Sequence, residues 1–322
     1  MKIFIFLRAT LLSLALLTIT GASWSQTFPS KPVKFIVPFP PGSATDQAAR
    51  LMALQLQNSM GQTFVVENKP GAGGSIAAMD VIRSAPDGYT LLFTSNSAAA
   101  SNVALLKSIP YDPLKDFTPV AAVGENMLVL MVKVDHPAKN IQEFLSYATQ
   151  RPGKVNAGFG SSSSQVSIAV LNKLGKVDTV GIAYKGIPLA MNDVMAGVVD
   201  YTFVDLGNSM AQAKGGKLRP LGITSNKRSP MVPDWPSLAE SMPGFDITAW
   251  FALVGPAGMP KDVVDKLNAT IGQALKSKET QDKLAGIGIQ TMAMSPEQLK
   301  AFMASEVNKW LRLVKESNIQ PE

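Results

Sequence analysis

The chain contains no cysteine and only one histidine, His136. Without cysteine there is no disulfide framework, no lipid-bearing N-terminal cysteine, and no thiolate for nucleophilic attack or metal binding. His136 stands beside Pro137 in an apparent turn, with no second ligand candidate of its type. Neither a metal centre nor a general base is therefore expected, and no cofactor. Charge is also sparse. Asp, Glu, Lys and Arg make up 17% of residues, and 30 basic against 24 acidic side chains leave a formal charge of +6, with no basic run longer than Lys227-Arg228. Nucleic-acid binding requires a clustered basic face interleaved with stacking aromatics, and neither is visible. A mildly cationic surface favours anionic solutes or simply aids solubility. The early apolar stretch, Ala9 to Thr20, falls short of the roughly 20 residues that a bilayer-spanning helix needs. Lys2 and Arg8 flank its approach, Gly21-Ala22-Ser23 offers small residues for cleavage, and a polar segment, Ser25 to Pro32, follows. This pattern predicts a secretory signal over residues 1–25, with the mature chain beginning near Ser23 to Gln26; an uncleaved anchor is the alternative.

The remaining length exceeds one typical domain and points to two. From Val33 onward, apolar strand-like runs alternate with helical patterns: Lys34–Val37 then Thr45–Met60, Thr63–Val66 then Ser75–Ser84, Thr90–Thr94 then Ala98–Leu106. Such alternation predicts a parallel sheet with helices on both faces. Phe117–Val123 and Met127–Val134 lead into a second block, with strands near Val155–Ala157, Val180–Ala183, Tyr201–Val204 and Leu221–Thr224 and helices near Ser163–Leu174 and Pro188–Ala196. Ile247–Val254 is a returning strand. Pro260–Leu275 and a last helix from Ser295 finish the chain, with a possible strand at Ile289–Met292. Two α/β lobes are expected, spanning residues 26–128 with 249–322 and residues 129–248, with crossings near 126–130 and 246–252.

Several of the strand runs end in loops of small polar residues that open a helix. After the first, Phe39, Pro41, Gly42, Ser43 and Thr45 lead into a helix N-terminus, whose unpaired N–H groups attract carboxylates. Ser43 and Thr45 can equally be N-caps. Asp46 would repel an anion, and instead caps the helix, orients a water or meets a solute amine. In Pro70-Gly71-Ala72-Gly73-Gly74-Ser75, no Gly-Lys-Ser/Thr follows to make a phosphate loop, so Gly73 and its neighbours are read as allowing close backbone approach. Ser95, Asn96 and Ser97 sit where α/β sheets bind ligands. In the second block, Gly160, Ser161, Ser162, Ser163 and then Ser164 open a helix with consecutive hydroxyls, a neutral anion cradle. Gln165 follows. Tyr184 is placed to cover a solute, with Gly186 beyond it and Lys185 solvated. Asp205, at a strand end, is a candidate specificity residue. Trp250 and Phe251 are read as hinge packing rather than as ligand stackers. These groups hold an anion; they supply no nucleophile with an evident base.

Ordered stretches along the chain resemble the substrate-binding components of tripartite tricarboxylate transporters, also described as Bordetella uptake gene or TctC-type proteins. They are Pro38-Phe39-Pro40-Pro41-Gly42 with Asp46, Ala49 and Arg50; Glu67 to Gly74; Pro86 to Leu92; Tyr184-Lys185-Gly186; Gly216 to Leu221; Trp250-Phe251; Pro256-Ala257-Gly258; and Ser295-Pro296-Glu297. The resemblance implies a periplasmic-binding-protein fold whose two α/β lobes close on a small organic acid, a carboxylate or dicarboxylate that is sometimes aromatic. It further implies delivery to membrane permease subunits from the periplasm, and a grip made by backbone N–H groups, hydroxyls and waters. Ser43 replaces a glycine more usual in the family, and Gln165 a histidine. Two rival readings are a ligand sensor presenting its closed form to a receptor kinase and a secreted serine hydrolase. The latter lacks a Gly-x-Ser-x-Gly elbow.

Overall fold

In the computed structural model, residues 27–321 are described, so the expected secretory signal lies outside the described residues. The first block forms three parallel strands, β1 (Val33–Val37), β2 (Phe64–Asn68) and β3 (Thr90–Ser95), with β1 paired to both others. Four of the five β1 residues are buried, as expected of a strand covered on both faces. Between the strands run α1 (Ala44–Met60) and α2 (Ser75–Ile82). Ser43 starts α1 by accepting the N–H of Asp46, and Gly61, at φ 70°, ends it. Ala48, Ala49, Met52, Ala53 and Leu56 form its buried stripe. The helix expected over Ala98–Leu106 is instead a turn of π-helix, Ser97–Ser101, running into a short helix α3 (Asn102–Leu105). Ser101 draws that turn tight through its hydroxyl, 3.2 Å from the Asn96 carbonyl.

The two apolar runs after Tyr111 are one strand, β4 (Phe117–Lys133), 17 residues long. Its register shifts at Pro119/Ala121 and Ala122/Gly124, and such bulges bend a long strand without ending it. Beyond it lie α4 (Ile141–Thr149), β5 (Val155–Phe159), α5 (Ser162–Gly175), β6 (Thr179–Ala183), α6 (Ile187–Ala196), β7 (Tyr201–Asp205), α7 (Leu206–Lys214) and β8 (Leu218–Ile223). Here β5 pairs in parallel with β6 and β7, as the alternation predicts, but β7 and β8 run antiparallel to β4. Each parallel core is thus bordered by antiparallel strands, and the sheet is mixed. Its order is β2-β1-β3-β9-β4-β7-β5-β6, with β9 (Thr248–Pro256) antiparallel to both β3 and β4.

Strand β4 is shared. Up to Met127 it pairs with β9, and from Leu128 with β7. The result is two α/β lobes joined along β4, with a cleft between them. The chain then adds α8 (Lys261–Lys276), α9 (Lys278–Gly286), a short β10 (Gln290–Thr291) against β4, and α10 (Pro296–Glu316). Helix α10 is fixed by a buried carboxylate: Glu306 Oε2 accepts from Trp250 Nε1 at 2.8 Å and from Trp310 Nε1 at 3.2 Å. Trp250 is therefore packing, as its position in the sequence suggests.

Candidate functional site

In both lobes the parallel strands end at the cleft, and the helices that follow begin there, so unpaired N–H groups collect along it. The lobes touch directly. Ser97 Oγ and Ser162 Oγ lie 2.7 Å apart, Ser101 Oγ donates to Ser162 Oγ at 2.6 Å, and Asn96 Nδ2 donates to Ser163 Oγ at 3.1 Å. Further out, Asn208 Nδ2 donates to the Gly42 carbonyl at 3.1 Å. Two glycines leave room here, Gly160 for packing within the second lobe and Gly186 for the approach of the first lobe. A Cβ on Gly160 would fall 2.1 Å from the Gly186 carbonyl carbon, and one on Gly186 would fall 2.5 Å from the Pro40 ring. The cleft is closed.

Two adjoining cavities lie within it. The inner one has a volume of about 50 Å³. The first lobe lines it with Phe39, Ser43, Ala44, Thr45, Ser95 and Asn96; the second with Gly160, Ser161, Ser163, Ile187 and Asp205. Asn126 and Leu128 of β4 and Ala249 and Phe251 of β9 complete it. The outer cavity, about 380 Å³, shares Phe39, Gly160 and Ser161 and adds Gly73, Ser162, Gln165 and Tyr184 among others. The structure thus gathers most of the sequence-predicted residues around one cleft. Pro41, Gly42, Asp46, Ser97 and Gly186 line neither cavity. Ser97 and Gly186 join the lobes, as described above. Asp46 is a latch: it accepts from the Gly42 N–H at 3.0 Å, Asn68 Nδ2 at 2.9 Å and Arg50 Nε at 3.1 Å.

The inner cavity offers mostly neutral donors. The hydroxyls of Ser43 and Ser161 accept the N–H groups of Asp46 and Ser164, each at 3.2 Å, so both serines are N-caps. Among the described residues, the N–H groups of Ala44, Thr45 and Ser163 reach no protein acceptor, and the Thr45 hydroxyl has no partner. The most telling group is Asn126. Its residue is 2% exposed, its Oδ1 accepts the Leu206 N–H at 3.3 Å, and its buried Nδ2 has no partner. An unpaired buried amide donor is destabilising by itself, by about 1–3 kcal/mol. It was not anticipated, although a lone asparagine inside an apolar strand run was the available signal.

No lysine or arginine lines the inner cavity, and its one ionisable side chain is Asp205. Burial pushes the Asp205 carboxyl above the ordinary aspartate value, against the pull of Asn208, whose N–H and Nδ2 donate to it at 3.1 and 3.0 Å. A neutral Asp205 can itself donate to an anion. Tyr184, expected over the solute, is in the outer cavity with its hydroxyl 2.6 Å from Asp193, whose carboxylate pushes the phenol up to about 12. Lys69 pairs with Glu67 and Asp80 away from both cavities. His136 packs on Tyr147, and its Nδ1 accepts the Ala138 N–H at 3.1 Å. Among the described residues, no group of acidic or histidine side chains could hold a metal ion. Phe251, read as packing, contributes to the inner wall.

A closed cleft between two α/β lobes, lined at strand ends and helix N-termini by neutral donors, defines a periplasmic-binding-protein-like solute receptor. Residues 48–319 match the model of the tripartite tricarboxylate transporter family receptor, and the chain belongs to that family. Protein BugT of Bordetella pertussis is 36% identical over 299 residues, covering 91% of each chain. The solved structure of R. palustris Rpa4515 with adipate is similar at TM-score 0.89 and 32% identity, over 92% of this chain and all of that one. MatC from Rhodopseudomonas palustris with bound malate gives 0.84 and 34%, over 89% of this chain and all of that one.

Proposed function

We infer that this protein captures a small organic carboxylate in the inner cavity of its cleft and performs no chemical step on it. The observation that carries the reading is the partnerless Asn126 Nδ2, buried among the free N–H groups of α1 and α5 in a cavity without cations. Neutral, preorganised donors stabilise a carboxylate without the desolvation penalty of a buried lysine or arginine. The adipate- and malate-bound relatives support an acid as the solute. The closed lobes are then the form read by the membrane subunits of a tripartite transporter, to which the acid is delivered from the periplasm. His136 lines neither cavity, so it is not placed to act as a base for their serines.

The test is a thermal-denaturation screen against organic acids. A bound acid at about 100 times its dissociation constant adds roughly 2.7 kcal/mol of stability. The reading fails if the uncharged amides of the same acids stabilise the protein equally.

A further inference from the structure

One side chain touches both walls of the inner cavity without lining it. Asn208 stands half-buried at the third position of α7, between the loop that opens α1 in the first lobe and Asp205 in the second. Its amide protons go to different lobes. Nδ2 donates to the Gly42 carbonyl at 3.1 Å and to Asp205 Oδ2 at 3.0 Å, while the backbone N–H donates to Asp205 Oδ1 at 3.1 Å. Its Oδ1 accepts from Gln47 Nε2 at 3.4 Å, and Gln47 Nε2 also donates to the Gly42 carbonyl, at 2.9 Å. Asp46 holds the Gly42 N–H at 3.0 Å. Gly42 is thus fixed by both of its backbone groups, directly before the cap Ser43 and the free N–H groups of Ala44 and Thr45.

We propose that Asn208 is a clasp, a positioning residue that ties the first-lobe donor loop to Asp205, so that solute release requires the bond across the cleft to part. This proposal rests on the inner cavity being a carboxylate site. The two halves of the clasp act differently. The bond to Gly42 joins the lobes and is made only when they are closed, so it slows opening. The bond to Asp205 lies within the second lobe and favours the ionised carboxyl, against the effect of burial. Asn208 therefore helps set the pH at which Asp205 becomes a neutral donor to an anion. No other ionisable side chain lines the inner cavity. On the surrounding elements, Asp46 and Arg50 of α1 pair with each other, and Asp193 of α6 holds Tyr184. Glu125 and Lys133 of β4, and Lys173 and Lys214 in the last turns of α5 and α7, line neither cavity.

The experiment combines calorimetry and stopped-flow dissociation on the purified chain across pH, with adipate, malate and the acid that stabilises most in the thermal screen as probes. Asn208→Ala should raise the dissociation rate about 2- to 12-fold, the equivalent of one neutral hydrogen bond, and leave association nearly unchanged. It also removes a donor from Asp205, so the window in which affinity strengthens on acidification should move to higher pH. Gln47→Ala, which loses only the contacts to Gly42 and Asn208, should raise the dissociation rate less and leave that window in place. Asn208→Asp should bind more weakly than Asn208→Ala, because it sets a carboxylate against Asp205 and the Gly42 carbonyl. A residue that merely builds α7 predicts the reverse, since an acidic side chain in the first turn favours a helix. If the parent binds an acid and both Asn208 variants release it at the parent's rate with the same pH window, the clasp falls and the carboxylate reading stands. If no acid binds at all, the carboxylate reading falls and the clasp falls with it.

Discussion

Replacing Asn126 with leucine separates affinity from stability. The substitution removes Nδ2, which has no partner in the closed protein, and Oδ1, which accepts the Leu206 N–H at 3.3 Å. Losing the Leu206 bond costs about 1 kcal/mol, and relief of the unpaired amide returns a similar amount, so unfolding free energy should change by less than about 1 kcal/mol. Binding has no such compensation. A hydrogen bond to a charged acceptor contributes about 1.5–3 kcal/mol, so affinity for the bound acid should fall roughly 10- to 150-fold. Calorimetry gives the affinity and a urea melt gives the stability. Thr45→Val, which deletes the free hydroxyl at nearly constant volume, should behave alike with a smaller loss. Asn126→Leu that binds as the parent does, or that loses binding only in step with folding, would refute the reasoning.

Glu306→Leu strands the indole N–H groups of Trp250 and Trp310 and should destabilise the fold by about 2–4 kcal/mol while leaving affinity intact below the melt. Ser97→Ala and Ser162→Ala remove the same 2.7 Å bridge across the cleft, so a double-mutant cycle on binding should show coupling of about 0.5–1.5 kcal/mol. Because a bound anion favours protonated Asp205, affinity should strengthen as pH falls through its raised folded value, and Asp205→Asn, which keeps the helix cap, should flatten that slope in calorimetry. In the free protein the same raised carboxyl stabilises below its ordinary value of 3.8, a contribution lost as pH rises through the folded value. His136 has the opposite sign: burial lowers its folded value, so its stabilising contribution is present above the ordinary 6.5 and is lost as pH falls below it, a slope that His136→Phe should remove from acid melts.

The strand ends were legible because apolar runs stop at small polar loops, and those loops do converge on one cleft. What single residues do there was less legible. Ser43 reads as ligand group or cap and Ser161 as part of an anion cradle; both are caps whose adjacent N–H groups and neighbours supply the free donors. Asp46 is claimed by Gly42, Arg50 and Asn68, the last a contact across the sheet that no local pattern carries. Gly124 looks like a break between two runs, yet a bulge carries β4 through it, and this hid both the shared strand and Asn126 upon it. Helix α7 escaped notice because Gly207 and Asn208 occupy its first turn. Its start is set by Asp205 accepting the Asn208 N–H at 3.1 Å.

The central claim is that neutral donors in the inner cavity select a carboxylate. Its most direct measurement is calorimetry of the purified protein with one tight-binding acid and its primary amide, followed by recovery of the ligand. The account predicts one acid bound per chain, recovered unchanged, and the amide weaker by at least about tenfold. Equal affinity for the amide, or conversion of the acid, would contradict it.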